Sequence, residues 1–292
     1  MTPSRGRLEN MDGFRVTTTA DPVVALEKAA GYLGSDPVGL NVIWSILASR
    51  AGSGIPGLYW LFELGDRTTG VVLESPPGHP AAISPMSPEN AAAMAEAIAN
   101  EAHELSGIAG EASAAAAFAG KWTEHKAVVA EVAEAQRLYV LAEFVPPVAV
   151  PGRLRRAEMA ERAIIIKSFS QFQVETGAIH FDVSGAVDSG LSSGRLFVWD
   201  DDGARCIARA TEPLGAVSRI GIVYTPQQWR RKGYAAACVG ALCEWERAEE
   251  GANAVLYAQL RNPGSNAIYR RLGFRAVSEV LSYDFAKVIE NR

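Results

Sequence analysis

The chain has 292 residues, of which 48% are hydrophobic, and a formal net charge of −5. That length favours two domains, and the hydrophobic fraction is enough for two buried cores. No apolar run approaches the roughly 18 residues that cross a bilayer, and the first 14 residues lack the apolar segment of a signal peptide. The odd number of cysteines, three, predicts reduced thiols. We therefore expect a cytoplasmic protein without a membrane partner.

The charge is unevenly distributed, with a net charge of −8 over residues 1–150 and +3 over residues 151–292. The second half therefore favours an anionic ligand. It has no dense basic stripe interleaved with aromatic residues, so a nucleic acid partner is not expected. The four histidines, His79, His103, His125 and His180, have no metal-ligand spacing and none pairs with a cysteine, so no metal is expected.

Periodicity and turn residues predict the elements of the first half. They are helices near Pro22–Leu33 and Pro37–Ser49, strands at Leu58–Leu64, Thr69–Glu74 and Ala81–Ser84, helices at Pro88–Glu104 and Ala112–Lys126, and a strand near Arg137–Phe144. Three prolines and a glycine in residues 146–152 then predict an extended linker. The predicted domains are residues 1–145 and 153–292.

The second half predicts a similar succession of helices and strands. They are helices near Ala157–Glu175 and Asp182–Leu191, strands at Arg195–Trp199, Cys206–Ala210 and Val217–Thr225, a helix over Tyr234–Glu250, a strand at Ala254–Leu260, a helix over Ser265–Leu272 and final strands through Phe274–Phe285. Such an order is typical of an α/β protein with a mixed sheet, in the α+β sense.

The most informative segment joins a predicted strand to the helix that starts at Tyr234, through the sequence IGIVYTPQQWRRKGYA. The first N–H groups of a helix have no partner inside the helix, and the helix dipole favours an anion there. Gly233 can adopt backbone conformations closed to other residues. Arg230, Arg231 and Lys232 add positive charge. The segment therefore predicts a phosphate-binding loop.

Residues Arg230–Ala235 resemble the Q/R-x-x-G-x-G/A pyrophosphate loop of the GNAT superfamily of acyl-CoA-dependent N-acetyltransferases, with Ala235 in the last position. Downstream, the pattern N-x-x-S-x-x-x-Y-x-x-x-G-F from Asn262 to Phe274 is similar to a second motif of that superfamily. The resemblance covers residues 153–285. It implies the acyl-CoA N-acyltransferase fold, acetyl-CoA as co-substrate and no metal.

The resemblance also implies a set of cofactor-binding residues. Main-chain groups of the predicted strand would hold the pantetheine arm, the loop would hold the pyrophosphate, and Asn262 would bind the arm again. The set is Val223, Tyr224, Thr225, Arg230, Arg231, Lys232, Gly233, Tyr234, Ala235, Asn262 and Ser265. Asn262 has the alternative of an Asx-turn or a helix cap. Ser265 is predicted first as the N-cap of the following helix and second as a cofactor contact.

Tyr269 falls where many members of the superfamily place the tyrosine that protonates the CoA thiolate. A phenol with its ordinary pKa of about 10 matches a thiol of similar pKa. The alternative is a core tyrosine on an amphipathic helix. The general base is open: Glu212 is a candidate, Glu175 is a weaker one, and many members use ordered water.

The first half resembles the second in the order of its elements, which suggests a degenerate second GNAT-like unit. Where a second phosphate loop would fall, residues Ser84–Asn90 contain no glycine and no cation, and Glu89 would repel a pyrophosphate. We interpret that segment as one that has lost cofactor binding. The alternative is an unrelated α/β domain.

These features predict an acetyl-CoA-dependent N-acetyltransferase in which a primary amine attacks the thioester directly. The acceptor is expected to be a small-molecule or peptide amine, the acidic first half favours a cationic one, and a homodimer is allowed. One alternative is a non-catalytic acyl-CoA-binding or sensing module with the same fold. A nucleotide binder is disfavoured because no G-x-x-x-x-G-K-[ST] sequence occurs.

Overall fold

A computed structural model describes residues 8–9, 13–101, 103–177 and 182–287. The chain forms two compact units, the first comprising Met1–Arg137 with Ser278–Arg292 and the second Leu138–Val277. Within the described ranges, no helix combines the length and the apolar character that a membrane span requires. The division differs from the predicted boundaries at 145 and 153, for reasons that the packing of each unit makes clear.

The first unit contains two layers of helices around a sheet. Its elements are β1 (Leu8–Glu9), β2 (Phe14–Thr19), α1 (Pro22–Leu33), α2 (Asn41–Ala51), β3 (Leu58–Leu64), β4 (Arg67–Glu74), β5 (Ala81–Ile83), α3 (Pro88–Asn100), β6 (Gly107–Glu111), α4 (Ala112–His125), the first part of β7 (Val128–Leu141) and the later part of β13 (Phe274–Lys287). Local signals fix several helix starts: the Asp21 carboxylate accepts from the N–H of Val23 at 2.8 Å, and Ser87 caps α3.

The sheet of the first unit has the order β1-β2-β3-β4-β5-β6-β13, and only the β5–β6 pair is parallel. One face carries a core with α1 and α2, the other a core with α3 and α4. Strand β13 belongs here because Val280–Asp284 pairs with β6 and Phe285 stacks on Trp122, with ring centroids 5.8 Å apart. The end of the chain is therefore part of the first unit.

The second unit repeats this plan. Its elements are the end of β7, β8 (Arg153–Arg156), α5 (Arg162–Thr176), α6 (Val183–Ser192), β9 (Leu196–Asp200), β10 (Ala204–Ala210), β11 (Val217–Tyr224), α7 (Tyr234–Glu250), β12 (Asn253–Gln259), α8 (Pro263–Arg271) and the start of β13. The sheet order is β7-β12-β11-β10-β9-β8, and β11–β12 is the parallel pair. A core with α7 and α8 covers one face, and a core with α5 and α6 covers the other.

Residues 146–152, predicted as a linker, lie along the surface of the second unit and contact it. The carbonyl of Pro151 accepts from the indole N–H of Trp199 at 2.8 Å. Pro147 lies against Gly240 of α7, and Val150 lies against Gly233. The prolines extend the chain as expected, but the extended segment packs against α7 and β9 instead of joining two separate units. The second unit therefore begins before the predicted linker.

The sequence interpretation missed four strands, β1, β2, β6 and β8, and placed the start of β7 nine residues late, at Arg137 instead of Val128. Strand β6 is the short sequence GIAGE, whose two glycines give no strand signal. Strand β8 reads RLRR and pairs on one side only, with β9. The predicted final strands are one continuous strand, β13.

Candidate functional site

The parallel strands of the second unit separate before β11 ends. The described ladder joins Val217–Ile220 to Asn253–Leu256, and no further β11–β12 pairs occur among the described residues. Strand β11 continues for four residues, Gly221–Tyr224. On the β12 side, the main-chain N–H and C=O groups of these four residues are free to bind an extended ligand as an added strand.

A β-bulge lies in the same four residues. Ile207 of β10 is opposite Tyr224 and Arg209 is opposite Gly221, so three residue steps on β11 match two on β10. Ile222 takes a left-handed conformation with φ of +51°, which costs about 1–2 kcal/mol for a residue with a side chain. A bulge of this kind redirects main-chain groups and is common beside functional sites.

The predicted phosphate loop leads from this segment into α7. Gly233 precedes the helix with φ of +90°, and Arg231 also has a positive φ, +61°. The first helical hydrogen bond runs from the N–H of Ala237 to the carbonyl of Gly233 at 3.0 Å. The N–H groups of the first helical turn, Tyr234 to Ala236, therefore have no acceptor within the helix, and the start of α7 is a candidate anion site.

The three cations of the loop have different surroundings. The Arg230 guanidinium binds Glu175 of α5, and its Nε donates to the carbonyl of Thr225 at 2.9 Å. Lys232 places its Nζ 4.6 Å from the centre of the Trp229 ring. Arg231 is exposed and makes no contact with a polar partner in the part of the chain that the structure describes. A role for these three cations in binding a phosphate remains a prediction.

The side chains of Tyr234 and Thr225 lie at the two ends of the loop and have different surroundings. The Tyr234 hydroxyl donates to the Asp201 carboxylate at 2.5 Å, and this hydrogen bond raises the pKa of the phenol. Tyr234 thus anchors the loop through its side chain, and only its main chain faces the anion site. Thr225 Oγ1 is buried without a hydrogen-bond partner at the end of β11. A ligand that supplies a polar group there would remove the cost of leaving it unpaired.

Asn262 and Ser265, both predicted as cofactor contacts, meet at the start of α8. The Asn262 side chain accepts from the N–H of Ser265 at 3.1 Å, so Asn262 is the N-cap. The prediction that Ser265 is the cap is wrong, because the helix begins at Pro263 and not at Ser265. A cofactor role for either residue remains a prediction.

The sequence interpretation overlooked Asn266, which lies inside the second motif. Its Oδ1 accepts from the Tyr139 hydroxyl at 2.7 Å, and its Nδ2 donates to the carbonyls of Gln259 and Asn262. These bonds fasten α8 to the strands on either side. The sequence did contain a signal for this role, because Asn266 lies three residues before Tyr269 and so shares its helical face. An amide that is buried on that face requires hydrogen-bond partners.

Tyr269 lies on α8 with only 8% of its surface exposed, between Tyr139 and Phe274 at centroid distances of 6.3 and 6.0 Å. Burial, and then the nearby thiols, raise the pKa of its phenol above the ordinary value. The expected match with the pKa of a thiol is therefore wrong. A phenol with a raised pKa stays protonated and acts as a hydrogen-bond donor towards developing negative charge.

The structure does not bring Glu212 to this region. The preceding residue, Thr211, donates its N–H to the carbonyl of Arg219 at 3.0 Å, which places Glu212 beside the start of β11 and exposed to solvent. The open segment and the loop lie at the other end of the strand. Glu175 is closer: its carboxylate accepts from the Tyr224 hydroxyl at 2.9 Å, but it is also paired with Arg230.

The corresponding place in the first unit is closed. Strand β5 pairs with β6 along its whole length, Ala81–Ile83. The next residue, Ser84, accepts from the N–H of Val71 at 2.9 Å and from the Tyr32 hydroxyl at 3.1 Å. When the single Tyr32 proton instead goes to the carbonyl of Pro85, 2.7 Å away, the Ser84 hydroxyl can donate to Tyr32. No open strand edge precedes α3, which supports the interpretation of residues 84–90 as a segment without cofactor binding.

No group of three or more histidine, cysteine, aspartate or glutamate side chains in the described ranges could hold a metal ion. His180, one of the four histidines considered above, lies outside those ranges. Cys206, Cys238 and Cys243 are buried and form no disulfide.

The repeated α/β units, the parting of the parallel strands and the glycine loop before α7 together define the GNAT acetyltransferase fold. Residues 205–282 match the family described as FR47-like protein. No curated protein matches the chain significantly.

Solved structures with this fold extend over nearly the whole chain. A GNAT-family acetyltransferase from Colwellia psychrerythraea aligns with a TM-score of 0.60 and 12% identity, covering 93% of this chain and 99% of that one. A Drosophila protein aligns with a TM-score of 0.66 and 11% identity, covering 94% and 98%. A tandem GNAT protein from the clavulanic acid biosynthesis pathway aligns with a TM-score of 0.55 and 14% identity, covering 93% of this chain and 98% of that one.

Proposed function

We propose that the second unit is an acetyl-CoA-dependent N-acetyltransferase and that the first unit binds no cofactor. The observation that carries the proposal is the open edge of Gly221–Tyr224, which leads directly into the anion site at the start of α7. An acyl-CoA has an extended amide-containing arm and a pyrophosphate, which match the open edge and the anion site in that order. The unpartnered Thr225 Oγ1 is a further polar group for such an arm.

In the proposed reaction the amine nitrogen attacks the carbonyl carbon of the thioester, so that a C–N bond forms and the C–S bond breaks. The ammonium proton passes to water or a nearby base, and the thiolate gains a proton to give free CoA. Free main-chain N–H groups of Gly221–Tyr224 would polarise the thioester carbonyl. The Tyr269 hydroxyl would donate to the sulfur as charge develops on it. Orientation of the two reactants supplies much of the remaining rate enhancement.

We propose a small-molecule or peptide amine as acceptor. We also propose a cytoplasmic location, because three buried cysteines without a disulfide suit a reducing compartment.

Isothermal titration with acetyl-CoA tests the proposal by its stoichiometry. We expect one molecule bound per chain, because only the second unit has the open edge and the glycine loop. Two molecules per chain would contradict the closed state of residues 84–90. Binding without acetyl transfer to any amine would favour an acyl-CoA-sensing module, and no binding would refute the proposal.

Replacing Gly233 by alanine should weaken acetyl-CoA binding by at least tenfold. A Cβ at this position would lie 2.8 Å from Cγ1 of Val150 and would have to adopt φ of +90°, which costs about 1–3 kcal/mol. The loop is therefore expected to shift and misplace its N–H groups.

Gly251→Ala is the matched control, because Gly251 ends the same helix with φ of +62° and has open space around it. It should lower thermal stability without changing the acetyl-CoA affinity measured by titration. Equal losses of affinity in the two variants would show that the loop is not the binding site.

A further inference from the structure

The two faces of β11 have different surroundings. Side chains alternate along a regular strand, and Ile220 packs into the core beneath α7. The bulge in Gly221–Tyr224 interrupts the alternation, so that Ile222, two residues further on, packs against α5 and α6 instead. Arg219 and Gly221 therefore face the side of the sheet opposite α7. This face is covered in part by α5 and α6, and the phosphate loop begins α7 on the other face, so the open edge of Gly221–Tyr224 adjoins both.

Arg209 lies on that same face, directly opposite Gly221 on the neighbouring strand. Its Nε is buried without a hydrogen-bond partner, and it has no carboxylate partner in the ranges that the structure describes. Burial lowers the pKa of its guanidinium. Burying a guanidinium group without an anionic partner costs free energy, because the group loses its hydration. An anionic ligand that binds beside Arg209 would offset this cost.

Arg219 adds a second positive charge on this face. Burial lowers the pKa of Arg219, and the nearby Arg209 lowers it further against the opposing effect of Tyr257. The carbonyl of Arg219 accepts from the N–H of Thr211, two residues after Arg209, so the two arginines are diagonal neighbours on this face of the sheet. An anion bound beside Arg209 would therefore interact favourably with both.

Gly221 leaves room for such a ligand. A Cβ added to it would meet no atom within 4 Å, so the space above Gly221 is open. Gly221 is also the first residue of β11 beyond the ladder with β12. The open space, the unpaired cation and the free strand edge thus coincide at one residue.

We infer that the acceptor of the proposed acetyl transfer carries a carboxylate beside its amine, and that Arg209 binds this carboxylate over Gly221. The inference rests on the proposed function and deepens it. It replaces the expectation of a cationic acceptor, which came from the charge of residues 1–150. An amino acid has the required chemistry, since its carboxylate and amine are separated by one carbon.

The test compares amino acids with their primary amides, which differ only in the anionic group, as acceptors for the full-length protein. Release of free CoA thiol measures kcat and KM. The acids should be preferred at least tenfold in kcat/KM, and Arg209→Gln should raise KM for the acids about tenfold to hundredfold. Arg209→Lys should recover part of the loss, because it keeps the charge but loses the planar fork.

Two further variants separate binding from folding. Gly221→Val fills the open space without changing any charge and should also raise KM for the acids. Arg275→Gln removes an exposed arginine elsewhere in the second unit and should leave the kinetics unchanged. Thermal melting of each variant shows whether the protein remains folded.

The outcomes distinguish this inference from the proposed function. Equal use of acids and amides, or an acid preference that survives Arg209→Gln in a folded protein, would overturn the inference alone. A stronger preference for aminoalkylphosphonates than for amino acids would replace the carboxylate by a phosphonate-like group and overturn the stated class. Lack of acetyl-CoA binding, or of transfer to every amine, would overturn the proposed function.

N-acetyl amino acids provide a readout that needs no turnover. Titrated into the protein in the presence of CoA, they should bind more tightly than their amides, and Arg209→Gln should abolish the difference. Equal affinities of the acids and amides for the unsubstituted protein would count against the inference even if no acceptor had been found.

Discussion

Arg195→Met should lower the free energy of unfolding of the second unit by about 3–5 kcal/mol, the usual cost of removing one partner of a buried ion pair. Arg195 and Glu246 are both nearly inaccessible to solvent, with a 2.6 Å bond between Nη2 and Oε1. The same nitrogen donates to the carbonyl of Thr211 and to Ser218. Without the arginine, the buried Glu246 carboxylate loses its charged partner and Ser218 Oγ loses a donor, while the Thr211 carbonyl keeps only the Ser218 hydroxyl.

The effect should depend on pH. Burial raises the pKa of Glu246, although Arg195 opposes the rise. A carboxyl whose pKa is higher in the folded than in the unfolded state contributes stability below the unfolded value, about 4.3, and loses it as pH increases through the folded value. Removing Arg195 raises the folded pKa further. The deficit of the variant should therefore be small in acid and grow towards neutral pH, as denaturant titrations at several pH values would show.

Glu250→Gln is the control on the same arginine, since Glu250 is the partially exposed partner of Nη1 at 3.1 Å. It should cost less than about 1 kcal/mol, as exposed ion pairs do. A loss from Arg195→Met no larger than this would show that the buried pair is not what holds α7 to the sheet.

Local sequence signals account for the elements that were predicted with correct bounds. Pro22 after the Asp21 cap starts α1, and Gly251 ends α7 in a left-handed conformation that favours glycine. Strand β3 was bounded correctly because LYWLFEL is rich in aromatic and large apolar residues. The phosphate loop could also be predicted, because its chemistry depends on a glycine and a helix start that lie next to each other in sequence.

Features that depend on distant contacts could not be predicted. Nothing in the sequence of β13 indicates that its later part pairs with β6, more than 160 residues earlier in the chain. Glu246 is a charged residue near the end of α7, yet it is fully buried because Arg195, just before β9, reaches it. Likewise, the space over Gly221 arises from the parting of two strands, which no residue pattern encodes by itself.

Tyr269→Phe should lower kcat for acetyl transfer by roughly 10²-fold and leave the dissociation constant of acetyl-CoA near its original value. The ring is held by Tyr139 and Phe274, and phenylalanine preserves that packing. The hydroxyl has no hydrogen-bond partner among the described residues, so its removal should leave the stability nearly unchanged. The loss should therefore appear in the transition state, where negative charge develops on sulfur.

Tyr139→Phe is the matched control, because the two rings are 6.3 Å apart but their hydroxyls have different partners. It would leave Oδ1 of Asn266 buried and without its donor, at a cost of about 1–3 kcal/mol of stability. Tyr139→Phe should therefore lower the melting temperature more than Tyr269→Phe does. It should lower kcat less than Tyr269→Phe does. Unchanged turnover in Tyr269→Phe would remove Tyr269 from the mechanism.

The pH dependence of kcat distinguishes a hydrogen-bond donor from an acid that must match the thiol. Since burial raises the pKa of Tyr269, the phenol stays protonated through neutral pH and begins to ionise only above its ordinary value of about 10. Any rise of kcat below pH 9 must then reflect deprotonation of the amine or its base, and it should persist in Tyr269→Phe at the reduced level. Loss of that rise in the variant would mean that Tyr269 itself is the titrating group, and its assignment as a neutral donor would be wrong.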